Sequence, residues 1–134
     1  MKRPFTFLVI ISILFNISCN EDDPYDCSGS ICTAEFRTIS VSIVNTNSEP
    51  VALDSFRVTD VSNEMDVTLI NSGSAFETGE YPLISDGSIE VHNSKELRFQ
   101  GFIDSNEVIN SNYVAQEGCC GVSLLSGNLN LTIE

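Results

Sequence analysis

Alternating hydrophobic and polar residues predict β-strands along most of the chain. The clearest case is TISVSIV, residues 38–44, where Ile39, Val41 and Ile43 share one face and Ser and Thr residues the other. This period of two is typical of a strand with one buried face. Further strands are predicted at VALDSFRVTDV, DVTLI, EYPLIS, SIEVH, ELRFQGFI, VINSNYVA and NLNLTI.

The connections between these segments also follow from the pattern. The hydrophobic parity switches near Asp54–Ser55, which predicts a bulge or a break. Turns are expected at NTNSEP, NSGS, Asp86–Gly87 and DSNE. No window combines 3.6-residue spacing with helix caps. Seven or eight short strands at this spacing predict an all-β fold, an antiparallel β-sandwich or barrel, of which we favour the sandwich.

The N-terminal segment differs from the rest of the chain. Lys2 and Arg3 precede an almost wholly apolar run, PFTFLVIISILF. A basic start followed by a short apolar run predicts a secretory signal peptide. The run is shorter than the about 20 residues of a spanning helix. An uncleaved N-terminal anchor is the alternative.

Cys19 ends this segment. FNISC, with small Ser18 before the cysteine, resembles the lipobox of bacterial lipoproteins, although Asn16 replaces the usual leucine. The resemblance implies cleavage after residue 18 and acylation of Cys19, and several acyl chains give stable anchoring. An ordinary thiol at Cys19 is the alternative.

The acidic stretch NEDD, residues 20–23, follows directly. It resembles the export signal of bacterial surface lipoproteins, which implies an outer-membrane location with exposure at the cell surface. A disordered tether is the alternative, and no spaced ligand pattern supports a Ca²⁺ site. The expected organisation is a signal peptide at 1–18, an acidic tether at 19–30 and one β-sandwich domain at 31–134.

Charge restricts the partners. The whole chain carries −13, and removal of residues 1–18 takes Lys2 and Arg3 but no acid, leaving −15. Nucleic-acid binding needs clustered basic residues, which are absent from this sequence. The negative charge also opposes docking on anionic lipid, so membrane contact is expected through lipid on Cys19 alone.

The four remaining cysteines are Cys27, Cys32, Cys119 and Cys120. Disulfides are expected in an oxidising compartment, and four cysteines allow three pairings. We expect at least one bond between the Cys27/Cys32 segment and the Cys119/Cys120 segment. A vicinal Cys119–Cys120 bond or redox pair is an alternative. A four-cysteine Zn²⁺ site is another, although the spacings differ from C-x2-C.

Two stretches resemble a known family. ISVSIVNTNSEPVALDSFRVTDV and GEYPLISD are similar to carboxypeptidase regulatory-like, or transthyretin-like, domains. This implies a transthyretin-like sandwich, with an Ig-like one as the alternative. The C-terminal YVAQEGCCGVSLLSGNLNLTI resembles small bacterial surface lipoproteins that often carry Cys-Cys-His. Gly121 stands at that histidine position, which removes any metal or acid–base role there.

Catalytic sets are missing from the sequence. His92 is the only histidine, and it is expected to be a surface residue at a strand end rather than a base. There is no G-x-S-x-G elbow and no histidine pair. An oxygen-ligand loop is the alternative to a hydrophilic hairpin connection at Asp60, Asn63, Glu64 and Asp66. We therefore expect no enzyme, cofactor or metal.

Aromatic residues are the candidates for a sugar-stacking surface, since tryptophan is absent. Phe99 has inward parity, so Phe102 is the more exposed candidate, unless it packs under a loop. The candidates are Tyr25, Tyr81, Phe99, Phe102 and Tyr113.

These features predict a lipid-anchored, non-catalytic accessory or interaction module at the bacterial surface, with a protein or glycan partner. One alternative is a glycan-binding component of a nutrient-uptake system. Another is a thiol–disulfide protein that uses Cys119 and Cys120.

Overall fold

The computed structural model describes residues 26–69 and 75–134, which are almost entirely β. The predicted signal peptide, Cys19, the acidic stretch, Tyr25 and the NSGS loop lie outside the described residues. Among these described residues, one short helix, α1 (Ala75–Thr78), accompanies eight strands. The strands are β1 (Thr38–Asn45), β2 (Ser55–Asp60), β3 (Met65–Asp66), β4 (Glu80–Ser85), β5 (Ser94–Ile103), β6 (Asn106–Gly118), β7 (Gly121–Ser126) and β8 (Asn130–Ile133).

The strands form two sheets, which confirms the predicted all-β sandwich. The smaller sheet has the order β4-β1-β8 and the larger β3-β2-β5-β6-β7. The described strands pair antiparallel, except that β1 and β8 are parallel. The parallel pair arises because the chain leaves the edge strand β7 and crosses to the other sheet, where β8 runs beside β1.

The core lies between the inward faces of the two sheets. Alternate residues of β1 and β5 are fully buried, as the sequence pattern predicted. Each buried aliphatic or aromatic side chain contributes about 1.5–3 kcal/mol by leaving water. The buried core residues are Val41, Ile43, Leu53, Val58, Tyr81, Leu83, Ile84, Ile89, Leu97, Phe99, Ile109, Tyr113, Ala115 and Val122.

Two predicted strands differ from the structure, and one strand of the structure was not predicted. SIEVH, residues 88–92, forms turns instead of a strand, because Asn93 N–H donates to the Glu90 carbonyl and His92 N–H donates to the Glu117 carbonyl. Of the described residues of DVTLI, 66–69, only Asp66 belongs to a strand, the two-residue β3. The strand β7 has no counterpart in the sequence prediction. The break near Asp54–Ser55 is confirmed, since β2 begins at Ser55.

The part of the chain that the structure describes contains no helix with the length and hydrophobicity needed to cross a membrane.

Candidate functional site

The turn between β6 and β7 lies at one end of the sandwich, here called the disulfide end. Gly118 and Gly121 are paired across this turn, and Cys119 and Cys120 occupy its tip. Gly121 has φ +111°, and a Cβ there would lie 2.6 Å from Oδ1 of Asp86. The positive φ and this close approach both favour glycine at position 121.

Two disulfides join the first described residues to this turn. Cys27 pairs with Cys119 and Cys32 with Cys120, with Cα–Cα distances of 5.4 and 5.1 Å. Both bonds link the two cysteine segments, whereas Cys119 and Cys120 are not bonded to each other. The paired residues are 92 and 88 positions apart in the sequence, so either bond encloses almost the whole domain in one covalent loop.

Asp86 provides a third connection at the same end. Its Oδ2 accepts a hydrogen bond from the Arg37 N–H at 2.8 Å, and its Oδ1 accepts one from the Val122 N–H at 2.7 Å. The Val122 bond, followed by the Arg37 bond, lowers the pKa of Asp86 below its ordinary value. The ionised carboxylate thus holds the segment entering β1 against the first residues of β7.

His92 faces the Cys27–Cys119 disulfide. Its Nε2 lies 3.5 Å from Cys27 Sγ and 3.5 Å from Cys119 Sγ. The backbone of His92 has φ +67°, a conformation that histidine adopts more readily than most residues. Sequence reasoning missed this contact, because His92 lies 65 and 27 positions from the two cysteines and no local pattern links them.

Glu117 is the buried carboxylate of this end and has 6 % of its surface exposed. Its Oε2 accepts a hydrogen bond from the Gly87 N–H at 3.2 Å. The Glu117 carbonyl accepts from the His92 N–H, and the Glu117 N–H donates to the Asn93 carbonyl. These bonds fix the turn containing His92 to β6, the strand that leads to Cys119.

An open depression of about 330 Å³ lies beside the disulfides. Phe36, which is 73 % exposed, lies on its wall together with the bonded cysteines Cys32, Cys119 and Cys120. Carboxylates also line it, but no histidine does.

The segment from Asp60 to Asp66 forms a hydrophilic turn. Its side-chain oxygens, the candidate ligands of an oxygen-ligand loop, have hydrogen-bond or ion-pair partners within the protein. Asp60 accepts from Ser62 N–H and Oγ–H and lies 3.4 Å from Lys95 Nζ. Asp66 accepts from Thr68 in the same way. Asn63 Oδ1 accepts from Met65 N–H, and Glu64 pairs with Arg98 at 3.8 Å. These partners support the hairpin-connection interpretation.

The predicted aromatic candidates do not form a surface row in the described part of the chain. Tyr81, Phe99 and Tyr113 are buried in the core. The Tyr81 hydroxyl donates to the Val51 carbonyl, and the Tyr113 hydroxyl donates to the Asn128 carbonyl. Phe102 is partly buried. Its outward-facing neighbours on β5 and β6 are mainly polar, namely Glu96, Arg98, Gln100, Asn110, Asn112 and Gln116.

Comparison with known proteins adds no relative to this picture. No protein-family model, curated protein or solved structure matches the chain. The resemblance to transthyretin-like domains and surface lipoproteins stays a prediction.

Proposed function

We propose that the chain is a lipid-anchored protein of the bacterial outer membrane and a non-catalytic interaction module at the cell surface. The supporting observation is the bonding of the two cysteines that follow the acidic stretch in the sequence. Cys27 and Cys32 follow the acidic stretch within a few residues, and both are bonded to the β6–β7 turn. A tether ending in two covalent bonds attaches the sandwich at one defined end.

This attachment gives the domain an orientation. Cys27 and Cys32 are bonded at the disulfide end, so the opposite end of the sandwich lies farthest from these two cysteines. The opposite end carries the β5–β6 turn at Asp104–Ser105 and the chain end after β8. We propose that this end and the polar outer face of the larger sheet face the surroundings, where a protein or glycan partner binds.

The non-catalytic part of this proposal is supported by the groups at the disulfide end. Its four cysteines are paired, and its buried carboxylate Glu117 accepts a backbone hydrogen bond. His92 contacts sulfur atoms of a disulfide. Among the described residues, none of these groups belongs to a nucleophile–base pair that lines a substrate-sized cleft.

The test is the intact mass of the protein recovered from a bacterial envelope, combined with labelling of intact cells by a membrane-impermeant amine reagent. We expect a mass that begins at Cys19 with added acyl chains, and labelling of Lys95 before lysis. The variant Cys19→Ala is the control and should lose both acylation and membrane retention. An unacylated mature chain, or turnover that depends on a particular residue cluster, would contradict the proposal.

A further inference from the structure

Three metal-ligating side chains meet at the disulfide end. The sulfur atoms of Cys27 and Cys119 and one ring nitrogen of His92 all lie within 4.8 Å of one another. We propose that these residues form a binding site for a thiophilic divalent cation of the Zn²⁺ class when the Cys27–Cys119 disulfide is reduced. This proposal is independent of lipid anchoring and of any surface partner.

The distances fit tetrahedral coordination. Bond lengths of about 2.3 Å for Zn–S and about 2.0 Å for Zn–N place a sulfur and a nitrogen about 3.5 Å apart across a tetrahedral edge. Both observed distances from His92 Nε2 to the sulfurs are 3.5 Å. Only the two sulfurs must move, to about 3.8 Å apart, for a cation to enter between the three atoms.

The histidine is already held in position. The His92 N–H donates to the Glu117 carbonyl at 2.7 Å, and the Glu117 N–H donates to the Asn93 carbonyl at 3.1 Å. Glu117 lies two residues before Cys119 on the same strand and turn. These backbone hydrogen bonds therefore hold His92 near Cys119, and they remain when the disulfide is reduced.

Other contacts keep Cys27 near Cys119 and His92 after the Cys27–Cys119 bond is reduced. The Cys32–Cys120 bond holds the Cys27 segment to the same turn when the first bond alone is reduced. Asp86 holds the following residues through the Arg37 N–H without any covalent bond. The strongly negative chain also attracts cations to its surface.

The chemistry balances with an external dithiol as reductant. The dithiol supplies two electrons and two protons to the Cys27–Cys119 bond and becomes a disulfide itself, leaving two protein thiols. When the cation binds, both thiols release their protons to solvent and each sulfur forms one metal–sulfur bond. His92 provides the third ligand as a neutral imidazole, and water occupies the fourth position.

Co²⁺ is the probe for this site, because tetrahedral thiolate coordination gives it intense visible and near-ultraviolet absorption. The full-length chain in detergent is reduced with a dithiol under anaerobic conditions, freed of reductant by gel filtration and titrated with Co²⁺. We expect one bound Co²⁺ per reduced chain, no binding by the oxidised chain, and displacement of Co²⁺ by Zn²⁺.

Three variants, one of them a control, separate this site from the other thiols. His92→Asn removes the imidazole but keeps a residue that adopts positive φ, and should weaken Co²⁺ binding at least about tenfold. Cys27→Ser/Cys119→Ser should abolish it, whereas the control Cys32→Ser/Cys120→Ser should retain it. Circular dichroism checks the β structure of each protein.

Three results would overturn the assignment. The first is no Co²⁺ binding by the reduced wild-type chain. The second is unchanged affinity in His92→Asn, which would mean that the cysteines bind without the histidine. The third is binding that survives in Cys27→Ser/Cys119→Ser, which would place the metal on the other thiols.

Discussion

The two ends of the sandwich are held together by different kinds of interaction. At the disulfide end, the bonds join residues 92 and 88 positions apart, and Asp86 connects the chain entering β1 to β7. At the opposite end, β5 and β6 are joined by a two-residue turn, Asp104–Ser105, with φ of 50° and 64°. Positive φ at both positions is the type I′ geometry that matches strand twist.

The two ends differ in how far apart in the sequence their connected residues lie, and therefore in how easily each end is disrupted. The hairpin turn forms from neighbouring residues and is supported by the Asp104 N–H, which donates to Asp54 Oδ2 at 2.6 Å. The disulfide end exists only when distant segments have come together. Reduction of the disulfides should therefore affect the disulfide end much more than the hairpin end.

Removing both disulfides should have the largest effect. In the chain-entropy model, a bond that closes a loop of roughly 90 residues contributes about 4 kcal/mol. We expect the variant with all four of Cys27, Cys32, Cys119 and Cys120 replaced by serine to lose about that amount of unfolding free energy. Urea denaturation measures this loss.

The control for that experiment is Cys32→Ser/Cys120→Ser. The remaining Cys27–Cys119 bond still closes nearly the same loop, so this variant should lose only a small part of the total. Equal losses in the two variants would show that the bonds do not act through loop closure.

Substitution of Gly121 should have an intermediate effect. An alanine Cβ would collide with the Asp86 carboxylate, and the φ of +111° disfavours any side chain. We expect Gly121→Ala to lower the free energy of unfolding by about 1–3 kcal/mol. Gly29→Ala is the matched control at the same end, since a Cβ at Gly29 would meet nothing within 4 Å. Similar thermal stability for both variants would count against the Asp86 contact.

A more favourable turn sequence at the opposite end should have a smaller effect and should raise the free energy of unfolding. Replacing Asp104–Ser105 with Asn-Gly supplies the residues that type I′ turns prefer. We expect an increase in unfolding free energy of about 1 kcal/mol, because the left-handed conformation costs Ser105 more than glycine. The gain, measured by urea denaturation, should be the same with the disulfides intact or reduced. A gain that vanished on reduction would show that the two ends are coupled.

The smallest effect concerns pH at the disulfide end. The pKa of Asp86 in the folded protein is below the ordinary value of 3.8, so its stabilisation is complete above about pH 4. The stabilisation is lost as pH falls through the folded pKa. We expect the difference in Tm between wild type and Asp86→Asn to narrow below pH 4. A constant difference from pH 7 to pH 2 would contradict the role of the ionised carboxylate.

Part of the fold could be predicted because its signals are local. The alternation in residues 38–44 correctly identified β1 and its inward Val41 and Ile43. The DSNE turn and the break at Asp54–Ser55 were also correct. β7 was missed because Leu124 and Leu125 are adjacent and interrupt the alternation. SIEVH was mispredicted because its apolar spacing is that of a strand, whereas bonds to Glu117 and Glu90 fold it into turns.

By itself, the sequence determined the class of fold, the inward faces of the main strands and the acidic character of the chain, because periodicity and charge are properties of neighbouring residues. It also limited the four cysteines after Cys19 to three pairings. The tertiary structure alone decided the pairing, the parallel β1–β8 contact and the meeting of His92 with Cys27 and Cys119. Those contacts join residues far apart in sequence, and they form only after the two sheets pack and bring the strand ends together.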